Sequence, residues 1–157
     1  MRCPAFLAVL VSLLASAGCE NAPFEGKACT EIGCVNGFQV EFQTGSWPAG
    51  TYAVDAVTST GTRSCSVKLP FAGVDPGVTC TGDKVQLGTS GSALPAAQHS
   101  LVGVTFFDTP AEVTLTVKRD GATLASQIFK PTYKTSQPNG AGCEPTCTQA
   151  PSAKLTW

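Results

Sequence analysis

Apolar residues recur at every second position through much of the chain beyond residue 37. Phe38, Val40 and Phe42 alternate with Gln39, Glu41 and Gln43. A period of two turns one row of side chains to a core and the other to water, as in a strand covered on one face. Tyr52, Val54 and Ala56 repeat the pattern with Asp55 on the opposite face. Cys65, Val67 and Leu69 then alternate with Ser64, Ser66 and Lys68. Trp47-Pro48-Ala49-Gly50 breaks the first run from the second, and Ser59-Thr60-Gly61 predicts a hairpin between the second and the third. Val78 with Cys80, and Val85 with Leu87, mark short strands on either side of Gly82-Asp83. Residues 70–77 and 88–98 are rich in Gly, Ser, Ala or Pro and read as loops.

Residues 101–107 are mostly apolar, which predicts a central strand buried on both faces. Val113, Leu115 and Val117 alternate with Thr114, Thr116 and Lys118. Asp120-Gly121 supplies residues that tolerate positive φ, as a tight hairpin turn requires. Leu124, Ser126 and Ile128 form the return strand. Residues 131–150 form a long irregular connection holding Asn139-Gly140, Gly142 and two cysteines, and Leu155 and Trp157 share one face of a last short strand. No stretch beyond the leader sustains helical spacing of apolar residues. The prediction is an all-β fold, a two-sheet antiparallel sandwich of about eight strands. It resembles immunoglobulin-like domains in architecture, although the Cys…Trp…Cys trio of antibody domains is absent.

The leader changes the picture of where this domain lives. Arg2 precedes an apolar run, Ala5 to Leu14, which yields to small residues before Cys19. The run is too short to span a bilayer, which takes about 20 apolar residues, and matches a secretory signal. Ser16-Ala17-Gly18-Cys19 resembles the lipobox of bacterial lipoproteins, with Ser16 standing where leucine is usual. The resemblance implies that Cys19 becomes the first mature residue and carries diacylglycerol. The expected organisation is a signal peptide over residues 1–18, a lipidated tether over 19–28 and one domain over 29–157. The alternative is ordinary cleavage after Ala17 and a secreted product. Cysteine parity separates the two, because lipidation of Cys19 leaves an even set of six cysteines, Cys29, Cys34, Cys65, Cys80, Cys143 and Cys147.

Those six predict three bridges in an oxidising compartment. Cys65 and Cys80 flank one loop and are expected to pair. Cys29 and Cys34 are expected to pair with Cys143 and Cys147, in an order that spacing leaves open. Each end-to-end bridge would stabilise the fold by about 4–5 kcal/mol in the chain-entropy model. A zinc site built from those last four thiolates is the competing reading, and export argues against it.

With Arg2 removed, nine basic residues face eleven acidic ones, both scattered along the chain. Nothing in that distribution makes a phosphate-binding surface, so nucleic acid is not an expected partner. His99 is the only histidine and has no nucleophile motif beside it. Asp75, Asp83, Asp108 and Asp120 sit in or beside turns, where Asp has an ordinary structural use, and they lack the spacing of a calcium loop. Trp47, Phe71 and Tyr133 fall in loops and are the candidate anchors for a protein or glycan; the alternative is that they cap the core. The expected role is therefore a non-enzymatic envelope or cell-surface lipoprotein, held to the membrane through Cys19 and binding an envelope protein or glycan. No cofactor or metal is expected. The alternatives are a hydrolase using a carboxylate pair, or an inhibitor presenting the loop of residues 70–79.

Overall fold

A computed structural model describes residues 27–157, so the leader, Cys19 and most of the tether lie outside the described residues. The described residues are all-β, with eleven strands and a single turn of 3-10 helix at Ala96–Gln98. One sheet holds β1 (Phe38–Gln43), β5 (Val85–Ser90), β6 (Ser100–Phe106) and β11 (Ala153–Thr156), in the order β11-β1-β6-β5. The second holds β2 (Gly50–Thr58), β3 (Gly61–Leu69), β4 (Thr79–Thr81), β7 (Val113–Arg119) and β8 (Ala122–Phe129), in the order β4-β3-β2-β7-β8. A separate ribbon pairs β9 (Lys134–Ser136) with β10 (Cys147–Gln149). Every pairing of named strands is antiparallel except β1 with β11, where the first and last strands run side by side. The count exceeds the eight or so expected chiefly because β9 and β10 have three residues each, too few to show an alternation in sequence.

The inward faces of both large sheets supply one core. Val40, Val104, Phe106 and Leu155 from the first meet Tyr52, Val54, Leu115 and Val117 from the second, all essentially inaccessible to solvent. All but Val104 and Phe106, which come from the continuous apolar run, are apolar positions of the period-two runs, so alternation placed most of the core correctly. The β7–β8 hairpin also turns as expected, with Asp120 and Gly121 at φ of 50° and 84°.

Two bulges correct the reading elsewhere. In β6, Gly103 pairs with Gly88 but Leu101 pairs with Thr89, so Val102 is an extra residue. The insertion reverses the alternation, which lets Leu101 and Val104 share the core face and turns Val102 outward. The strand is central, as expected, but its outer face is not buried. In β8, Ala125 pairs with Val117 and Thr123 with Lys118, leaving Leu124 unopposed. Cross-strand partners share a face. Phe129, opposite Val113, therefore enters the core, and Ile128 is left 58% exposed.

Two expected loops shrink. Residues 88–90 continue β5 rather than opening the loop, and the stretch 131–150 contains the β9–β10 ribbon. The ribbon docks on the start of β1 through the Gly37 N–H to the Thr148 carbonyl, at 2.9 Å, and the Ala150 N–H to the Gly37 carbonyl, at 3.0 Å. Gly37, at φ 121°, is required here, because a Cβ would fall 1.8 Å from the Phe106 carbonyl oxygen. Among the described residues no helix is long and apolar enough to cross a membrane.

Candidate functional site

The parallel course of β1 and β11 gives the molecule two distinct ends. Both strands start beside the ribbon, and both finish where the Trp157 N–H meets the Gln43 carbonyl at 3.3 Å. We call the first the stapled end and the second the aromatic end.

Three disulfides are present among the described residues. Cys29 pairs with Cys143 and Cys34 with Cys147, which assigns the order that spacing left open, and both bridges lie at the stapled end. Cys65 pairs with Cys80 directly across β3 and β4. With all six sulfurs so engaged, no thiolate set is left for zinc, and no metal-binding cluster occurs among the described residues. The bridges fit an oxidising, extracytoplasmic setting. Asn139, read from sequence only as part of an irregular connection, is buried at this end. Its Oδ1 accepts from the Thr30 hydroxyl at 2.7 Å and the Ile32 N–H at 2.8 Å. Its Nδ2 donates to the carbonyls of Glu144, at 2.6 Å, and Ile32, at 3.1 Å. One amide thus uses all its hydrogen-bonding capacity to join segments more than 100 residues apart.

Ion pairs hold the flank near this end. Arg63, 9% exposed, grips the Asp108 carboxylate with two nitrogens at 2.7 and 2.5 Å and lies over the Phe106 ring. The bond from Arg63 holds the Asp108 carboxyl below its ordinary 3.8. Asp55 is likewise held low, by Lys118 first and the Ser64 hydroxyl second. Of the four candidate carboxylates, Asp75, Asp108 and Asp120 carry structural work. Asp75 accepts from the Gly77 N–H at 2.9 Å and Asp120 from the Thr51 N–H at 2.8 Å. Asp83 and Asp108 do rim one depression, together with Arg63 and Lys84.

At the aromatic end Trp47, Phe42, Tyr52 and Trp157 form a cluster of tilted and edge-to-face contacts. The two indoles are 5.3 Å apart and nearly perpendicular, at 86°. Tyr52 fixes the loop that carries Trp47 by donating its hydroxyl to the Pro48 carbonyl at 2.8 Å. Phe71 stacks on His99 with centroids 4.7 Å apart. His99, 7% exposed, acts as a clasp. Its Nδ1 accepts from the Phe71 N–H and its Nε2 lies against the Leu94 carbonyl, both at 2.9 Å. Those partners call for a neutral ring protonated on Nε2. One side chain thereby joins the loops that follow β3 and β5. Gly91, at φ 84°, lets the second of these close, since a Cβ there would meet the Gln98 carbonyl at 2.3 Å.

The three aromatic candidates fare differently. Phe71 is 6% exposed and serves the core. Tyr133 lies at the stapled end, half-buried, donating its hydroxyl to the Pro110 carbonyl at 3.0 Å. Burial first, and Asp108 second, push its phenol up to about 12. Trp47 alone keeps a share of solvent-facing surface at the aromatic end, joined by Phe42 and Trp157. Those two were readable only as strand residues, because nothing in the alternation says that the strands carrying them end side by side.

Two depressions meet on this face. One, of about 360 Å³, runs from Ser46 and Trp47 to Gln98 and Ser100. The other, of about 470 Å³, lies over Phe42, Gln43, Thr156 and Trp157. Thr44 and Gly45 line both, so the two open depressions adjoin, and together they are called the trough. No Asp, Glu, Lys or Arg side chain lines it. Compared with protein-family models, with curated proteins and with solved structures, the chain shows no match.

Proposed function

We propose that the protein is a non-enzymatic binding module of the cell envelope, anchored by lipid on Cys19 and presenting its aromatic end to a ligand. The carrying observation is the polarity of the fold. The N-terminal segment enters at the stapled end, and β1 then runs six residues, about 20 Å, to the loops around Trp47. An anchor ahead of residue 27 would leave the aromatic end facing away from the membrane. Loops on a rigid β scaffold are where binding surfaces concentrate. We read the two large sheets as an immunoglobulin-like sandwich, on the support of their shared core.

Two measurements test this. Cys19→Ala should move the protein from the membrane fraction to the soluble one, and a native mature chain that starts at Gly18 without acyl mass would refute the anchor. Thr44→Arg at the aromatic end should abolish retention on isolated cell envelopes, whereas Thr132→Arg at the stapled end should not. Equal retention of both would refute the polarity.

One observation favours a second reading. The segment between β3 and β4 is closed at its base by Cys65–Cys80, pinned by Phe71 on His99, and carries Val74 at 75% exposure. A clamped loop with a bare aliphatic tip suits an inhibitor that inserts into a protease pocket. Slow, saturable inhibition of a serine protease, abolished by Val74→Asp, would support it.

A further inference from the structure

From the chemistry of the trough we propose that its ligand is a neutral saccharide chain. The proposal rests on the reading that the aromatic end is the binding face, and it names what that face takes.

Three features converge on this ligand. Lys, Arg, Asp and Glu side chains are absent from the lining, although Asp120, Lys68 and Asp75 occur elsewhere near this end. A charged polymer, nucleic acid or acidic peptide would find no counter-charge there. Apart from His99, whose two ring nitrogens already engage the Phe71 N–H and the Leu94 carbonyl, the polar lining consists of amides and hydroxyls, namely Gln43, Thr44, Ser46, Gln98, Ser100 and Thr156. Such groups both donate and accept, which matches sugar hydroxyls that do the same. The apolar lining consists of half-buried rings, Phe42, Trp47 and Trp157, each held by its neighbours at fixed angles. Rigid rings of this kind offer contact area at little entropic cost to the C–H faces of pyranose units.

The shape agrees. The trough is open along its length and lacks the deep enclosed pocket in which a protein partner seats a buried hot-spot side chain. Its rigidity comes from beneath, where Tyr52 holds the Pro48 carbonyl and His99 holds the Leu94 carbonyl. Preorganised loops lower the ordering cost of a weak, extended ligand.

The test uses the full chain, expressed with its leader and purified in a sugar-free zwitterionic detergent. Hexasaccharides of glucose (β-1,4 and α-1,4), xylose and N-acetylglucosamine are titrated against it, with polygalacturonate as the charged control. Tryptophan fluorescence and the two indole N–H resonances are followed. At least one neutral hexasaccharide should shift both indole signals saturably, and polygalacturonate should shift neither. Trp157→Ala should weaken binding about tenfold, the equivalent of 1.4 kcal/mol. Because that change also touches packing, the exposed pair Gln43→Ala with Thr156→Ala provides a second variant, expected to weaken binding while the melting temperature stays put. The proposal is overturned if no neutral saccharide shifts the indoles, if polygalacturonate binds as well, or if both variants bind like the parent. Envelope retention of Thr44→Arg separates the two levels. If saccharides fail and that variant still loses retention, the aromatic end binds something else; if retention survives, the binding face itself is misplaced.

Discussion

The two ends of this domain are held by different means. The stapled end depends on two long-range disulfides, one fully bonded asparagine and a short ribbon. The aromatic end depends on ring packing and on one histidine between two loops. The reason lies in local sequence. Residues 27–37 and 130–150 have too few apolar side chains at strand spacing to bury themselves, so cross-links and buried polar bonds replace a core. The loops of the aromatic end follow directly from strands whose alternation already carries large rings inward. Covalent ties secure the end where the chain arrives, and preorganised rings occupy the end left free for a ligand.

The strongest way to break this contrast is to cut the staples. Replacing Cys34 and Cys147 by Ser should cost about 2–5 kcal/mol in denaturant unfolding. Hydrogen exchange should accelerate first over residues 27–37 and 130–150, with the core of β2, β3 and β7 still protected. Uniform acceleration over the whole chain would show that the ends are not separable units.

Arg63→Met probes the flank beside the stapled end. It leaves the Asp108 carboxylate half-buried without its guanidinium and should cost about 3 kcal/mol at neutral pH. The pH dependence has a definite sign. Because Asp108 and Asp55 are held below 3.8, their pairs add stability above that value and lose it as pH falls through the lower folded values. Acid unfolding of the parent should therefore steepen below about pH 4, and Arg63→Met should flatten that dependence. An unchanged acid limb would show that Asp108 gains nothing from Arg63.

His99→Ala should act on the aromatic end alone. It strands the Phe71 N–H and the Leu94 carbonyl and removes a stacked ring, an expected loss of about 2 kcal/mol. Exchange should rise over residues 70–78 and 91–99, while both long-range disulfides resist reduction as in the parent. The smallest effect is expected from Val74→Ser. Its side chain is already in water, so stability should move by no more than about 0.5 kcal/mol. A larger loss would mean that this loop packs on something.

Alternation alone specified the all-β character, the β2–β3 and β7–β8 hairpins and most of the core, because a period of two admits only one arrangement of in and out. Cysteine count and export likewise pointed to three bridges. Other features depended on tertiary structure. A single bulge reverses alternation, so Val102 and Ile128 face water although the pattern alone gives no sign of it. The order of the end-to-end bridges depends on which cysteines the ribbon brings opposite the N-terminal segment. Asn139 and His99 each look like isolated polar residues, and their roles exist only because distant backbone comes within 3.1 Å of them. The trough is the fullest case. Phe42 and Trp47 lie close in sequence, but only the parallel pairing of the first and last strands brings Trp157 beside them.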